Sequence, residues 1–213
     1  MRVVAEQVSK VLGPTTLLAP VSVTAEPGTC LVVRGVNGSG KTTLLRILAG
    51  LIEPTTGTAT IDGEPVDERN AATRAGVAAL LGAPTAYRDL TLADHLTLID
   101  SSWGGDAGTC DERVDAGLAT FEIGHLESRF THELSSGQGQ LFRLALTFFR
   151  PSRLLILDEP EQRLDTDKRA LLGRLIRERT AAGTTVVMAS HDPALTEAVA
   201  DQVVHLDPAE PGR

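Results

Sequence analysis

The chain has 213 residues, 42% of them hydrophobic and 23% charged, with 28 acidic against 20 basic side chains and a net charge of −8. That composition is that of an ordinary globular protein of one domain, or one domain with a subdomain, able to bury its core without staples. The acidic balance, with no block of like charge and no basic stripe studded with aromatics, argues against non-specific nucleic-acid binding. Its two cysteines, Cys30 and Cys110, lie far apart, so neither a disulfide framework nor a zinc site is expected. The first residues, Met1-Arg2-Val3-Val4-Ala5-Glu6, lack the apolar centre of a signal peptide, and no apolar run approaches membrane-spanning length. A cytoplasmic location is expected.

In chain order, residues 2 to about 23 carry β-branched side chains interrupted by Gly13-Pro14 and Pro20, and read as short antiparallel strands. After the turn Pro27-Gly28, residues 29–34 form a strand with an apolar centre, in which Cys30 is a small buried hydrophobe. A helix over 41–49 ends near Gly50. Pro54-Thr55-Thr56-Gly57 turns into a strand at 58–61, and Asp62-Gly63 turns out of it. Residues about 66–130 read as a helical insertion, with helical patterns at 91–100 and 111–121. Thr91-Leu92-Ala93-Asp94 is a capping box, Leu92, Leu96 and Ile99 share one helix face, and 103–108 is a flexible connector. Strand and helix then alternate: helix 137–149 stopped by Pro151, strand 153–158, and helix 166–182 burying Leu171, Leu172, Leu175 and Ile176. Strand 184–189, helix 193–200 with Asp192 as N-cap and Pro193 at N1, and strand 202–206 follow. Residues 207–213 read as a frayed tail. The alternation predicts an α/β fold with a mostly parallel sheet, an N-terminal antiparallel β subdomain and an inserted helical subdomain. We expect one domain over 1–213, with about 1–82 and 150–206 forming the core and β subdomain and about 83–149 the helical subdomain.

Three segments carry chemistry. Gly35-Val36-Asn37-Gly38-Ser39-Gly40-Lys41-Thr42 is a GxxxxGK[ST] phosphate-binding loop between an apolar strand and a helix. Its glycines let backbone N–H groups curl around phosphate oxygens, Lys41 brings an ammonium to the β- and γ-phosphates, and Thr42 offers a hydroxyl to Mg²⁺. Leu154-Leu155-Ile156-Leu157-Asp158-Glu159-Pro160 is a buried strand tipped by two acids, where α/β sheets bind ligands. Alternation points the two acids to opposite sides, Asp158 suited to Mg²⁺ and Glu159 to activating a water. His191 follows another strand end and can contact a γ-phosphate. His95, His125, His132 and His205 belong to no constellation.

With these motifs in this order, the chain resembles, over essentially its whole length, the nucleotide-binding subunit of ATP-binding cassette (ABC) transporters. The resemblance implies ATP and Mg²⁺ as cofactors, with ATP held by Gly35, Asn37, Gly38, Ser39, Gly40, Lys41, Thr42 and Thr43. It implies Thr42 and Asp158 at the metal, and Lys41, Glu159 and His191 as catalytic groups. It makes Leu134-Ser135-Ser136-Gly137-Gln138 the signature that clamps the γ-phosphate held by a second subunit, and Asp165 the D-loop aspartate. The implied partners are a second such subunit, the same or different, and a separate transmembrane permease at the inner face of the cell membrane. No nucleic acid is among them.

Three positions depart from the family pattern. Ser136 replaces the first signature glycine. Leu81-Gly82-Ala83-Pro84 stands where a glutamine is usual near 82. Leu12 replaces the aromatic that stacks on adenine, a contact of a kind that contributes about 1–3 kcal/mol per base in nucleic-acid complexes. The D-loop, Glu161-Gln162-Arg163-Leu164-Asp165, is bulkier and more charged than usual. The leading expectation is an ATPase subunit that dimerises on ATP and drives a membrane subunit. The alternatives are a soluble ABC-type ATPase of cofactor assembly and a weakly active, nucleotide-gated half of a heterodimer.

Overall fold

A computed structural model describes residues 1–82 and 86–208. The chain begins with β1 (Val3–Leu12) and β2 (Thr15–Ala25), a hairpin turning at Gly13-Pro14. With β4 (Thr56–Ile61) and the short β5 (Glu64–Pro65) they form an antiparallel sheet of order β2-β1-β4-β5. The expected short strands are thus two long ones, because Pro20 does not break β2. It lies on an edge strand, where a missing N–H costs no ladder bond, and at a register shift between the pairs Val8–Val21 and Lys10–Leu18.

The second sheet is fully parallel, as the strand–helix alternation predicts. Its order is β6 (Val77–Leu80), β7 (Leu154–Asp158), β8 (Thr185–Ala189), β3 (Cys30–Gly35) and β9 (Gln202–Leu206). No strand is expected at the edge position of β6, since residues about 66–130 read as a helical insertion whose helical patterns begin only at 91. Only α2 (Ala71–Gly76) precedes it, and Val77 to Leu80 pair with Leu154 to Leu157. A four-residue run containing two alanines carries neither strong β-propensity nor a visible period.

Pleat alternation divides β3 between two cores. Leu31 and Val33 face α1 (Lys41–Leu48) and the antiparallel sheet, with Leu44, Leu45 and Leu48. Cys30 and Val32 face the opposite layer, with residues of α5 (Ser136–Phe149) and α6 (Thr166–Ala181). Helix α1 therefore lies between the two sheets, which fixes the phosphate loop at its head. Leu171, Leu172 and Ile176 are buried as expected, while Leu175 is only partly buried.

Between β6 and β7 the described chain is helical: α3 (Leu92–Ser102), α4 (Cys110–Thr120) and α5, joined by short turns. The capping box of α3 is present, with Thr91 and Asp94 bonded reciprocally. The Arg113 guanidinium forks onto buried Asp100 at 2.7 and 2.6 Å and also donates to Asp106 O at 2.7 Å, tying α4 and the 103–108 connector to α3. Helix α7 (Pro193–Val199) has Asp192 as its cap. The boundary expected near 83 and most of the expected tail fall outside the described residues.

Candidate active site

Strands β7, β8 and β3 are neighbours, so the loops that leave their carboxyl ends converge on one edge. These are the phosphate loop, the acid-tipped loop and the His191 loop. Helix α1 starts at Gly40 with no side-chain cap. Its first-turn N–H groups and positive dipole end thus face the loop. Gly40 has φ +94°, and a Cβ there would stand 2.7 Å from Leu17 O, so only glycine fits the entry to the helix. Lys41 is buried, and its ammonium donates to Gly35 O at 2.9 Å and Val36 O at 3.1 Å. The loop's own carbonyls hold that charge over its mouth.

Thr42 Oγ1 donates to Asp158 Oδ2 at 2.7 Å, joining the first turn of α1 to the end of β7. The second oxygen, Asp158 Oδ1, is buried without a hydrogen-bond partner. Burial raises the Asp158 carboxyl above the usual range. The Thr42 hydrogen bond opposes this, Glu159 adds to it, and Lys41 and Arg46 oppose it. A buried, unpaired oxygen beside a hydroxyl suits a hard cation that takes oxygen ligands. No group of three or more His, Cys, Asp or Glu among the described residues is arranged to hold a metal ion by itself. The pair Thr42–Asp158 would thus hold Mg²⁺ with the rest of its shell from phosphates and water, the usual arrangement for this ion.

Glu159 sits at φ +48°, a strained conformation for a side chain larger than glycine, and its N–H donates to Ala189 O at 2.9 Å. The turn brings its carboxylate to His191, whose Nε2 lies 3.2 Å from Glu159 Oε1. The other oxygen accepts from Gln162 Nε2. Glu159 thus has Gln162 at one oxygen and the His191 ring beside the other, and remains about a quarter exposed.

Ser135 caps α5 and Gln138 answers it, so the 134–138 segment is a capping box as well as a candidate anion site. Ser135 and Ser136 are exposed. A Cβ on Gly137 would lie 3.1 Å from Arg163 O, so glycine there lets the acid-tipped loop pack on α5. Among the described residues no hydrogen bond joins 134–138 to 35–43. Asp165 caps α6 through Lys168 N–H at 2.8 Å and has no bond to the phosphate loop. Leu12 is 67% exposed beside the hairpin turn. Gly82 has φ +66°. Its carbonyl accepts from Arg143, and Arg46 Nη2 lies 3.7 Å from where a side chain would begin.

A family model described as ABC transporter matches residues 18–162. The chain belongs to the ABC transporter family. It is 34% identical over 206 residues to the Fe(3+) ions import ATP-binding protein FbpC of Brucella melitensis biotype 1, covering 93% of this chain and 56% of that protein. It is 32% identical over 189 residues to Nod factor export ATP-binding protein I of Paraburkholderia xenovorans, covering 87% and 61%. The chain thus spans a little over half the length of these two relatives. A solved dimeric bacterial ABC transporter cassette superposes with a TM-score of 0.87 at 21% identity, covering 97% of this chain and 94% of that one. The α/β cassette fold with one parallel and one antiparallel sheet follows from these likenesses.

Within this cassette Lys41, Thr42, Asp158, Glu159 and His191 lie at one sheet edge, while the 134–138 segment and Asp165 share no hydrogen bond with the phosphate loop among the described residues. Sequence reasoning missed four residues that shape the site. Gln140 Nε2 holds Pro160 O at 2.9 Å, Arg143 anchors Gly82, Gln162 meets Glu159, and Glu161 bonds the His191 loop. The one visible signal was a loop unusually rich in polar side chains directly after Glu159.

Proposed function

We propose that the chain is the ATP-binding and ATP-hydrolysing subunit of a transporter, dimerising on ATP and powering a separate membrane-spanning subunit. The observation that carries this reading is the Thr42–Asp158 pair with its orphaned Oδ1, set beneath an uncapped helix head and beside the Glu159–His191 pair. Gly35, Asn37, Gly38, Ser39, Gly40, Lys41, Thr42 and Thr43 bind the phosphates through backbone N–H groups and the Lys41 ammonium. Mg²⁺, held by Thr42 and Asp158, would supply charge neutralisation on the β- and γ-phosphates. Glu159 orients a water and takes its proton at a carboxylate oxygen, while His191 steadies that carboxylate and faces the γ-phosphate. The exposed Ser135 and Ser136 at the head of α5, which share no hydrogen bond with the phosphate loop of their own chain among the described residues, support a site completed by another cassette's signature. A dimeric cassette among the structural neighbours supports the same reading.

Further observations bear on a membrane partner. The relatives are named as import and export ATP-binding proteins. No helix among the described residues is long and apolar enough to cross a membrane, so the permease would be another chain or segment. A groove of about 770 Å³ outside the nucleotide site is lined by Leu98, Trp103 and Leu146 and by Arg74, Arg143 and Arg150. None of these three arginines forms an ion pair among the described residues. An apolar permease segment carrying acids fits that lining. The working place of the chain is then the cytoplasmic face of the membrane. Glu159→Gln tests the reading: it should abolish turnover and accumulate an ATP-bound dimer on size exclusion, and parental turnover would remove Glu159 as the base.

A second reading, a nucleotide-gated half of a heterodimer, draws on Leu12, Gly82 and Ser136. It predicts nucleotide binding without turnover until a second, different cassette is added. The soluble assembly ATPase would instead be recovered with a soluble partner alone.

A further inference from the structure

We propose that Glu161 is a positioning residue, whose buried carboxylate holds the loop carrying His191 so that the imidazole meets Glu159. This inference rests on the ATPase reading above and adds a residue to its machinery.

Glu161 is 6% exposed, and it stands in no ion pair among the described residues. A carboxylate is costly to bury, and an apolar side chain of similar size fills such a space at no desolvation cost. Three donors on one oxygen offset part of that cost, while the second oxygen, Oε2, is buried without a partner. Glu161 Oε1 accepts from Ser190 Oγ at 2.6 Å, from the His191 N–H at 2.9 Å and from the Asp192 N–H at 3.3 Å. Ser190 is fully buried, and its Oγ also accepts the Asp192 N–H at 3.1 Å, which closes the arrangement. All three donors belong to the loop after β8, and the middle one is the backbone of His191 itself.

The consequence is geometric. Glu159 leaves β7 in a strained turn and Glu161 follows two residues later, so one short loop supplies two carboxylates with different partners. Glu159 Oε1 faces the His191 side chain at 3.2 Å, and Glu161 Oε1 grips the His191 main chain. Gln162 donates to the far oxygen of Glu159. Gln140 fixes the carbonyl of Pro160 between the two acids. The loop is therefore held on the α5 side by Gln140 and on the β8 side by Glu161. Releasing the second hold frees the His191 loop to move relative to Glu159, while Lys41 and Thr42 keep their contacts on the other side of the site. The expected signature is a fall in kcat with little change in nucleotide affinity. A misplacement of about 1 Å at a catalytic group costs up to about a hundredfold in rate.

Glu161→Leu removes the acceptor and Glu161→Gln keeps one oxygen of the same shape. Each is made in the parent and in a His191→Ala background. Steady-state Mg²⁺-ATP hydrolysis, nucleotide binding by calorimetry and amide hydrogen exchange at residues 190–192 are measured. The expected results are a kcat lower by about tenfold to a hundredfold in Glu161→Leu at unchanged affinity, and partial rescue by Glu161→Gln. Exchange at His191 and Asp192 should quicken in Glu161→Leu, and the leucine should cause no further loss once His191 is alanine. An undiminished kcat, an equal fall in the His191→Ala background, or protection of residues 190–192 unchanged by the leucine would overturn the proposal. A parent that binds nucleotide without turnover would instead count against the ATPase reading, and exchange would still decide whether Glu161 holds the loop.

Discussion

Thr42→Val keeps the outline of the side chain and deletes its hydroxyl, so it isolates the bond from α1 to the end of β7. In the parent, Thr42 Oγ1 donates to Asp158 Oδ2 at 2.7 Å, and the other Asp158 oxygen has no partner. The valine therefore leaves a half-buried carboxylate with neither oxygen bonded. A hydrogen bond to a charged group contributes about 1.5–3 kcal/mol. For a chain of this length each kcal/mol moves the melting temperature by about 2–4 °C, so a fall of about 3–12 °C is expected. The loss depends on pH. Burial already raises the Asp158 carboxyl above the usual range, and the Thr42 bond is the main influence drawing it back. That bond favours the ionised form, so the deficit is full at neutral pH and shrinks as pH falls through the raised range. Scanning calorimetry without nucleotide reads the stability, and titration calorimetry with and without Mg²⁺ reads the site. The valine variant should lose the gain in ATP affinity that Mg²⁺ confers, while Thr42→Ser, which restores the hydroxyl, behaves as the parent. A valine variant that melts with the parent and keeps its Mg²⁺ dependence would refute the reasoning.

Two further perturbations test the frame around the site. The Arg113 fork holds the Asp100 carboxyl below the usual aspartate value of 3.8. A lowered value means stabilisation that is complete above the ordinary value and lost as pH drops below it. Asp100→Asn should therefore melt lower than the parent at pH 7, with the gap closing in melts near pH 3, and a gap independent of pH would contradict the ion-pair assignment. Burial first, and then the nearby Asp201 charge, push the Cys30 thiol up to about 12, and Cys110 is also buried. Neither should react with a disulfide reagent at pH 8 in the native state, and both should react after unfolding. A native thiol that reacts within minutes would mean that its layer of the core opens.

Most of the fold and half of the site were legible because they are local. The GxxxxGK[ST] spacing, the apolar strand ending in Asp158-Glu159 and the Asp192-Pro193 cap are written in consecutive residues, and each appears where neighbouring residues require it. Strand β6 was not legible, since Val77-Ala78-Ala79-Leu80 becomes a strand only because β7 lies beside it. Pro20 misled because an interior strand and an edge strand read alike until the sheet order is known. The contacts of Glu161 depend on β7 and β8 being adjacent, which brings together residues 29 to 31 positions apart. Sequence spacing alone carries no trace of such a bond. The sequence placed His191 at a strand end but carried no sign that its imidazole lies beside Glu159.

The most direct test of the central claim is Mg²⁺-ATP hydrolysis by the purified chain across a range of protein concentrations, with Lys41→Ala as the control. Turnover that rises faster than linearly with concentration and disappears in the variant is the predicted result for a dimerising ATPase. Turnover that stays strictly linear, or that survives the loss of the Lys41 ammonium, would contradict it.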